Sequence, residues 1–235
     1  MRRSRIDAAY KGRAKCESCG IRSLVLFADL KREDFDLIHM PIEELVFDPG
    51  AQLYAAGDPA TSVFTVRSGL VKLLQYLPDG SQRIVRLLRP GATAGLEALV
   101  AEEFAHTAIA LQKTEVCRVP REVVERLDRE TPRLHTQLMR RWHDALRQAD
   151  DWLSGLSTGN ARERLARFVL SMADDHGALT LLTREDLGSV LGITTEHASR
   201  TVSEFKRQGL LTDHGYNRFD ADLGRLRQVV DGTAA

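Results

Sequence analysis

The sequence predicts an α+β chain: an antiparallel β-roll, then a long helix, then a C-terminal winged helix-turn-helix. Three observations predict it. Short β-branched and aromatic runs alternate with turn signals from about residue 44 to 120. A helical period with a seven-residue repeat follows from Thr131. Two capped apolar segments joined at Gly192 then lead into a strand-turn-strand pattern.

The roll rests on runs such as Val63-Phe64-Thr65-Val66, Gly69-Leu70-Val71-Lys72-Leu73-Leu74 and Arg83-Ile84-Val85-Arg86-Leu87-Leu88. Asp48-Pro49-Gly50, Gly57-Asp58-Pro59, Pro78-Asp79-Gly80 and Arg89-Pro90-Gly91 punctuate them. Regular short strands of this kind suggest a closed or rolled antiparallel sheet.

In the long helix, Thr131 is the expected N-cap and Pro132 the first helical residue. Leu138, Trp142, Ala145, Ala149, Trp152 and Leu156 recur at spacings of four and three. Such a seam suits either a helix packed on its own domain or a helix paired with a second copy. Its length, and the small side chains of Ala145 and Ala149, favour a homodimer. Gly155 to Gly159 reads as a hinge, followed by a helix with Leu165, Phe168, Val169 and Met172 on one face.

Thr183-Arg184-Glu185-Asp186 opens the next helix, with Thr183 as cap and Asp186 in a capping-box position. Leu187, Val190 and Leu191 supply its apolar face, and Gly188 permits a close crossing. Gly192 breaks it, Ile193 is a buried plug, and Thr194 caps a second helix with Ala198, Val202 and Phe205 inward. This is helix-turn-helix spacing. Outward lie Thr195, Glu196, Ser199, Arg200 and Ser203 beside the cap Thr194, residue types suited to a major groove of double-stranded DNA. A two-helix packing unit with a solvated face would show the same periodicity. Gly209-Leu210-Leu211-Thr212, His214-Gly215-Tyr216-Asn217 and Arg218-Phe219 add a strand, a turn and a strand, which is a wing.

Composition sets outer bounds. The 33 Lys and Arg balance 33 Asp and Glu in 235 residues, so any basic surface is local. The basic start Met1-Arg2-Arg3-Ser4-Arg5 has no apolar run behind it, and no stretch approaches a membrane span. The expectation is a soluble, cytoplasmic chain with no membrane partner. Paired catalytic carboxylates, a Ser/His/Asp arrangement and a phosphate-binding glycine loop in context are all absent from the sequence, so no enzyme is expected. Three cysteines are no disulfide framework, and Cys16-x-x-Cys19 leans towards metal or redox chemistry.

On five segments the chain resembles the Crp/Fnr regulators: Gly69-Leu70-Val71-Lys72, Pro90-Gly91, Asn160-Ala161-Arg162-Glu163-Arg164-Leu165-Ala166, Thr183-Arg184-Glu185-Asp186-Leu187-Gly188 and Glu196-His197-Ala198-Ser199-Arg200. The resemblance implies a cyclic-nucleotide-binding-like roll, a homodimer and a partner in RNA polymerase. It divides the chain into an arm at 1–40, a sensor roll at 41–128, a dimer helix at 129–157 and a DNA-binding domain at 158–235.

The cyclic-AMP branch carries a Gly-Glu-Leu step and an Arg-Ser pair that holds the phosphate. Here these read Gly95-Leu96-Glu97 and His106-Thr107, so no cyclic AMP is expected, and Glu97 should face solvent or cap a turn. The Fnr branch is more similar. It implies that Glu196, Ser199 and Arg200 read half-sites like TTGAT in an inverted repeat. It also implies an oxygen-labile [4Fe-4S] iron–sulfur cluster on Cys16, Cys19 and Cys117. The family's remaining cysteine falls on Val25, so a fourth ligand would be needed, a carboxylate such as Asp29, a histidine such as His106, or an exogenous group. Cys117 is otherwise a small buried hydrophobe, and the close pair a zinc remnant or redox pair. The alternative is a regulator of the same type without a cluster, sensing haem, NO, thiol oxidation or another small ligand.

Overall fold

The computed structural model describes residues 9–14, 19, 26–38 and 40–232. They fall into two compact units, Met1–Gln75 with Val85–Arg147, and Tyr76–Ile84 with Gln148–Ala235.

The first unit is a roll of two antiparallel sheets. Its strands are β1 (Tyr10–Arg13), β2 (Glu43–Phe47), β3 (Gln52–Tyr54), β4 (Ser62–Ser68), β5 (Val71–Tyr76), β6 (Gln82–Leu88), β7 (Thr93–Ala94), β8 (Thr107–Ala110) and β9 (Thr114–Pro120). The sheet orders are β1-β2-β9-β4-β7 and β3-β8-β5-β6. The interior is mostly apolar, with Leu45, Val63, Val66, Val71 and Val116 fully buried. Tyr54 stacks on Phe104 with ring centroids 3.9 Å apart. Each such side chain contributes about 1.5–3 kcal/mol by leaving water.

Strand β1 has no strand pattern in its sequence. It forms by pairing along β2, with Tyr10 opposite Leu45 and Arg13 opposite Glu43. A short helix, α1 (Arg121–Glu130), closes the roll on Val123, Val124 and Leu127. Helix α2 (Pro132–Leu156) follows at once. The Thr131 hydroxyl donates to Asp34 Oδ1 at 3.4 Å, while the Thr131 N–H ends α1 on the Leu127 carbonyl. Gly155 lies inside α2, so the break predicted at Gly155 begins only after Leu156.

The second unit is the winged helix. Helix α3 (Ala161–Met172) is capped by Asn160, whose side chain accepts from the Glu163 N–H at 3.0 Å. Then come β10 (Ala178–Thr180), α4 (Arg184–Leu191), α5 (Thr195–Arg207), β11 (Leu211–Asp213), β12 (Arg218–Ala221) and α6 (Leu223–Val230). The sheet order is β10-β12-β11. Leu165, Phe168, Val169, Leu187, Leu191, Val202 and Phe205 form its core.

Candidate functional site

Local rules build the two-helix element. The Thr183 hydroxyl accepts from the Asp186 N–H at 3.1 Å and donates to Asp186 Oδ2 at 3.1 Å, which starts α4. Gly192 ends it at φ +64°, where a side chain would be strained. A Cβ on Gly188 would lie 2.8 Å from the Ile193 carbonyl oxygen, so only glycine lets the turn pass that closely. The Thr194 hydroxyl caps α5 by accepting from the His197 N–H at 3.2 Å. Ala198, Val202 and Phe205 are buried as expected, whereas Ile193 is only half-buried.

Thr194, Thr195, Glu196, Ser199, Arg200 and Ser203 are all exposed. The Glu196 carboxyl is held below the usual carboxylate range by its own backbone N–H and the Thr194 hydroxyl, with Arg200 adding. An ionised Glu196 can only accept hydrogen bonds, which suits the amino group of cytosine. Arg200 offers the matching donors for guanine. The Ser203 hydroxyl donates to the Ser199 carbonyl at 2.9 Å and keeps acceptor capacity outward.

The apolar seam on α2 differs from the predicted one. Leu138 is 5% exposed and belongs to the roll's core, and Leu156 is also buried. Met139, Trp142, Leu146, Ala149 and Leu153 lie exposed instead, at spacings of three and four. The unpartnered stripe thus keeps Trp142 and Ala149 but runs one position later at its other points.

In the roll, the β2–β9–β4 register sets Glu44 opposite Cys117, and Cys117 opposite Thr65. Arg67 pairs with Glu44. Burial pulls the Arg67 pKa down, but negative charge on Cys117, Glu44, Cys19 and Glu115 outweighs it and raises the pKa. Cys19 and Cys117 are both half-buried. Cys16 and Val25 lie outside the described residues. No group of three or more metal-binding side chains occurs among the described residues. Asp29 accepts from Gln137, and Arg140 Nη1 lies 3.3 Å from Asp29 Oδ2.

Glu97 does not face solvent. Its side chain is 16% exposed, and Oε1 lies 3.8 Å from His106 Nδ1. Burial pushes its carboxyl up, but His106, its own backbone N–H and Arg86 outweigh burial and hold it below the usual range. Neither Glu97 Oε1 nor His106 Nδ1 makes a hydrogen bond at this distance.

Fold and site together define a DNA-binding regulator, and comparison with known proteins names its family. Residues 44–130 match the cyclic nucleotide-binding domain, and residues 163–229 the Crp-like helix-turn-helix domain. The transcriptional activator protein anr of Pseudomonas aeruginosa is 30% identical over 215 residues, covering 86% of each chain. An anaerobic regulatory protein of Aggregatibacter actinomycetemcomitans is 30% identical over 210 residues, 85% of this chain and 81% of that one. The solved structure of FixK2 from Bradyrhizobium japonicum matches with a TM-score of 0.73 and 28% identity, over 80% of this chain and 97% of that one. The chain belongs to the Crp/Fnr family of DNA-binding transcription regulators, which are not enzymes. Among the described residues no helix is long and apolar enough to cross a membrane.

Proposed function

We propose that the chain is a homodimeric, Fnr-like regulator that answers oxygen or redox state through an iron–sulfur cluster on Cys16, Cys19 and Cys117. One observation carries the reading: Cys117 in β9 stands opposite Glu44, the partner of Arg67, and the Arg67 guanidinium interacts electrostatically with both Cys117 and Cys19 of the arm. The names of the relatives, an anaerobic regulatory protein and a transcriptional activator, agree with it.

Thiolates are the preferred ligands of such a cluster, and the cluster supplies the oxygen-labile chemistry when bound. The chain's own part is electrostatic and positional. Arg67, itself fixed by Glu44, offsets the negative charge gathered by the thiolates. Asp29 is engaged by Gln137 and Arg140, and His106 faces Glu97, so the fourth position falls to an exogenous ligand. Cyclic AMP has no part in this reading, since Leu96 and His106 stand where the cyclic-AMP branch carries its Glu and its phosphate-holding Arg. Glu196, Ser199 and Arg200 read the half-site, and RNA polymerase is the partner of the DNA-bound dimer.

Anaerobic reconstitution tests this. The wild type should take up iron and sulfide and gain visible absorption that air removes, with DNA binding changing in step. Cys117→Ala should take up neither. A Val25→Cys variant, with a fourth thiolate, should keep its absorption longer in air. Wild-type protein without iron or sulfide would leave a cluster-free sensor of thiol oxidation or a small ligand.

A further inference from the structure

The compact unit that holds the winged helix also holds the tip of the β5–β6 hairpin, Tyr76–Ile84. The tip is a closed turn. The Gly80 N–H donates to the Leu77 carbonyl at 2.9 Å, and the Leu77 N–H donates to the Ser81 carbonyl at 2.9 Å. Asp79 Oδ1 accepts from the Ser81 N–H at 2.9 Å and from the Ser81 hydroxyl at 2.6 Å. These bonds brace the tip internally.

Arg83 seats the hairpin on the turn between α4 and α5. A Cβ on Gly192 would collide with the Arg83 guanidinium. The glycine that the left-handed break requires therefore also makes room for this side chain. Arg83 Nη2 lies 3.5 Å from Ser157 Oγ. Between hairpin and turn runs a cleft of about 610 Å³, with residues 80–83 on one wall and Thr194, Thr195 and Glu196 on the other. Those three residues begin the DNA-reading element. A recognition helix enters a major groove about 12 Å wide, with its N-terminal residues on the base edges. A phosphate strand then runs along each side of that end, and the hairpin stands on one such side.

The seat is electrostatically unfavourable. Burial first, and the Arg164 charge second, pull the Arg83 pKa down. Arg164 is held at the same turn, its Nη1 donating to the Leu191 carbonyl at 2.6 Å. Two guanidiniums at one turn oppose the contact, which keeps it releasable.

We propose that the hairpin tip is an autoinhibitory latch: with Arg83 seated on Gly192 it blocks the entry of α5 into the major groove, and it swings away before the half-site is read. The latch acts on the helix-turn-helix itself and does not depend on a cluster.

Arg83→Ala removes the seat. The full-length variant should bind an inverted repeat of TTGAT half-sites and a random duplex about three- to tenfold more tightly, because a closed form that cannot bind lowers the apparent affinity by the open fraction. A second measurement leaves the chain unaltered. In the wild type, backbone amides of residues 77–83 should exchange hydrogen faster once the repeat duplex is added, because the hairpin has left its seat. An Arg83 that instead holds DNA would make the variant bind more weakly and would slow exchange in the hairpin. Either of those results overturns the latch, as does an affinity or an exchange rate that does not change.

Discussion

At the scale of single residues, Asp34 ties the N-terminal arm to α2. Arg133 Nη2 donates to both of its carboxylate oxygens, at 2.9 and 2.7 Å, and the Lys31 N–H donates at 2.7 Å. Burial pushes the Asp34 pKa up, but Arg133, the Lys31 N–H and Thr131 outweigh it and hold the carboxyl below its usual value. A depressed folded-state pKa stabilises the fold above the unfolded value, near pH 4, and that contribution fades as pH falls through the folded value. Asp34→Asn should cost about 1–3 kcal/mol at neutral pH, the usual worth of hydrogen bonds to a charged group. The gap to wild type, followed by urea unfolding, should stay flat above about pH 5 and close below pH 4. A gap that ignores pH would show that the ionised form of Asp34 stabilises nothing.

At the scale of elements, the two faces of α2 do different work. Leu138 fills the roll's core, whereas Met139, Trp142, Leu146, Ala149 and Leu153 lie exposed and form the proposed dimer stripe. Leu138→Ala should lower stability by about 2–5 kcal/mol while folded protein stays dimeric. Leu146→Glu should leave the monomer fold intact and set like charges against each other across the seam. Sedimentation should then report a monomer, and a dimer of unchanged strength would remove this stripe from the interface. The seven-residue repeat was legible in the sequence, but its register was not. Leu138 and Met139 are neighbours that both extend such a repeat, and only contact with the roll decides which is buried. The helix-turn-helix was legible because its cues are local: a cap at Thr183, a left-handed break at Gly192, a second cap at Thr194. Strand β1 and the inward turn of Glu97 were not, because distant partners, Glu43 to Leu45 and His106, determine them.

At the scale of the whole molecule, the proposed pairing of two copies along α2 makes them read DNA as a pair. Each copy presents Glu196, Ser199 and Arg200 on the exposed face of one α5. A two-fold axis through the dimer then demands an inverted repeat whose half-sites lie about one helical turn, or 10–10.5 base pairs, apart. Binding of the second half-site becomes intramolecular, so an intact repeat should be bound about a hundredfold or more tightly than an isolated half-site. Inserting about five base pairs between the half-sites turns one to the opposite side of the duplex. The proposed dimer should then engage only one at a time, and affinity should fall to the single-site level. Inserting about ten base pairs restores the facing but stretches the span by roughly 34 Å, which helices fixed by one seam cannot follow. Both insertions should therefore weaken binding in a titration against labelled duplexes. Equal affinity for the intact, the five-pair and the single-site duplexes would mean that one copy reads DNA alone and that the α2 stripe has no bearing on recognition.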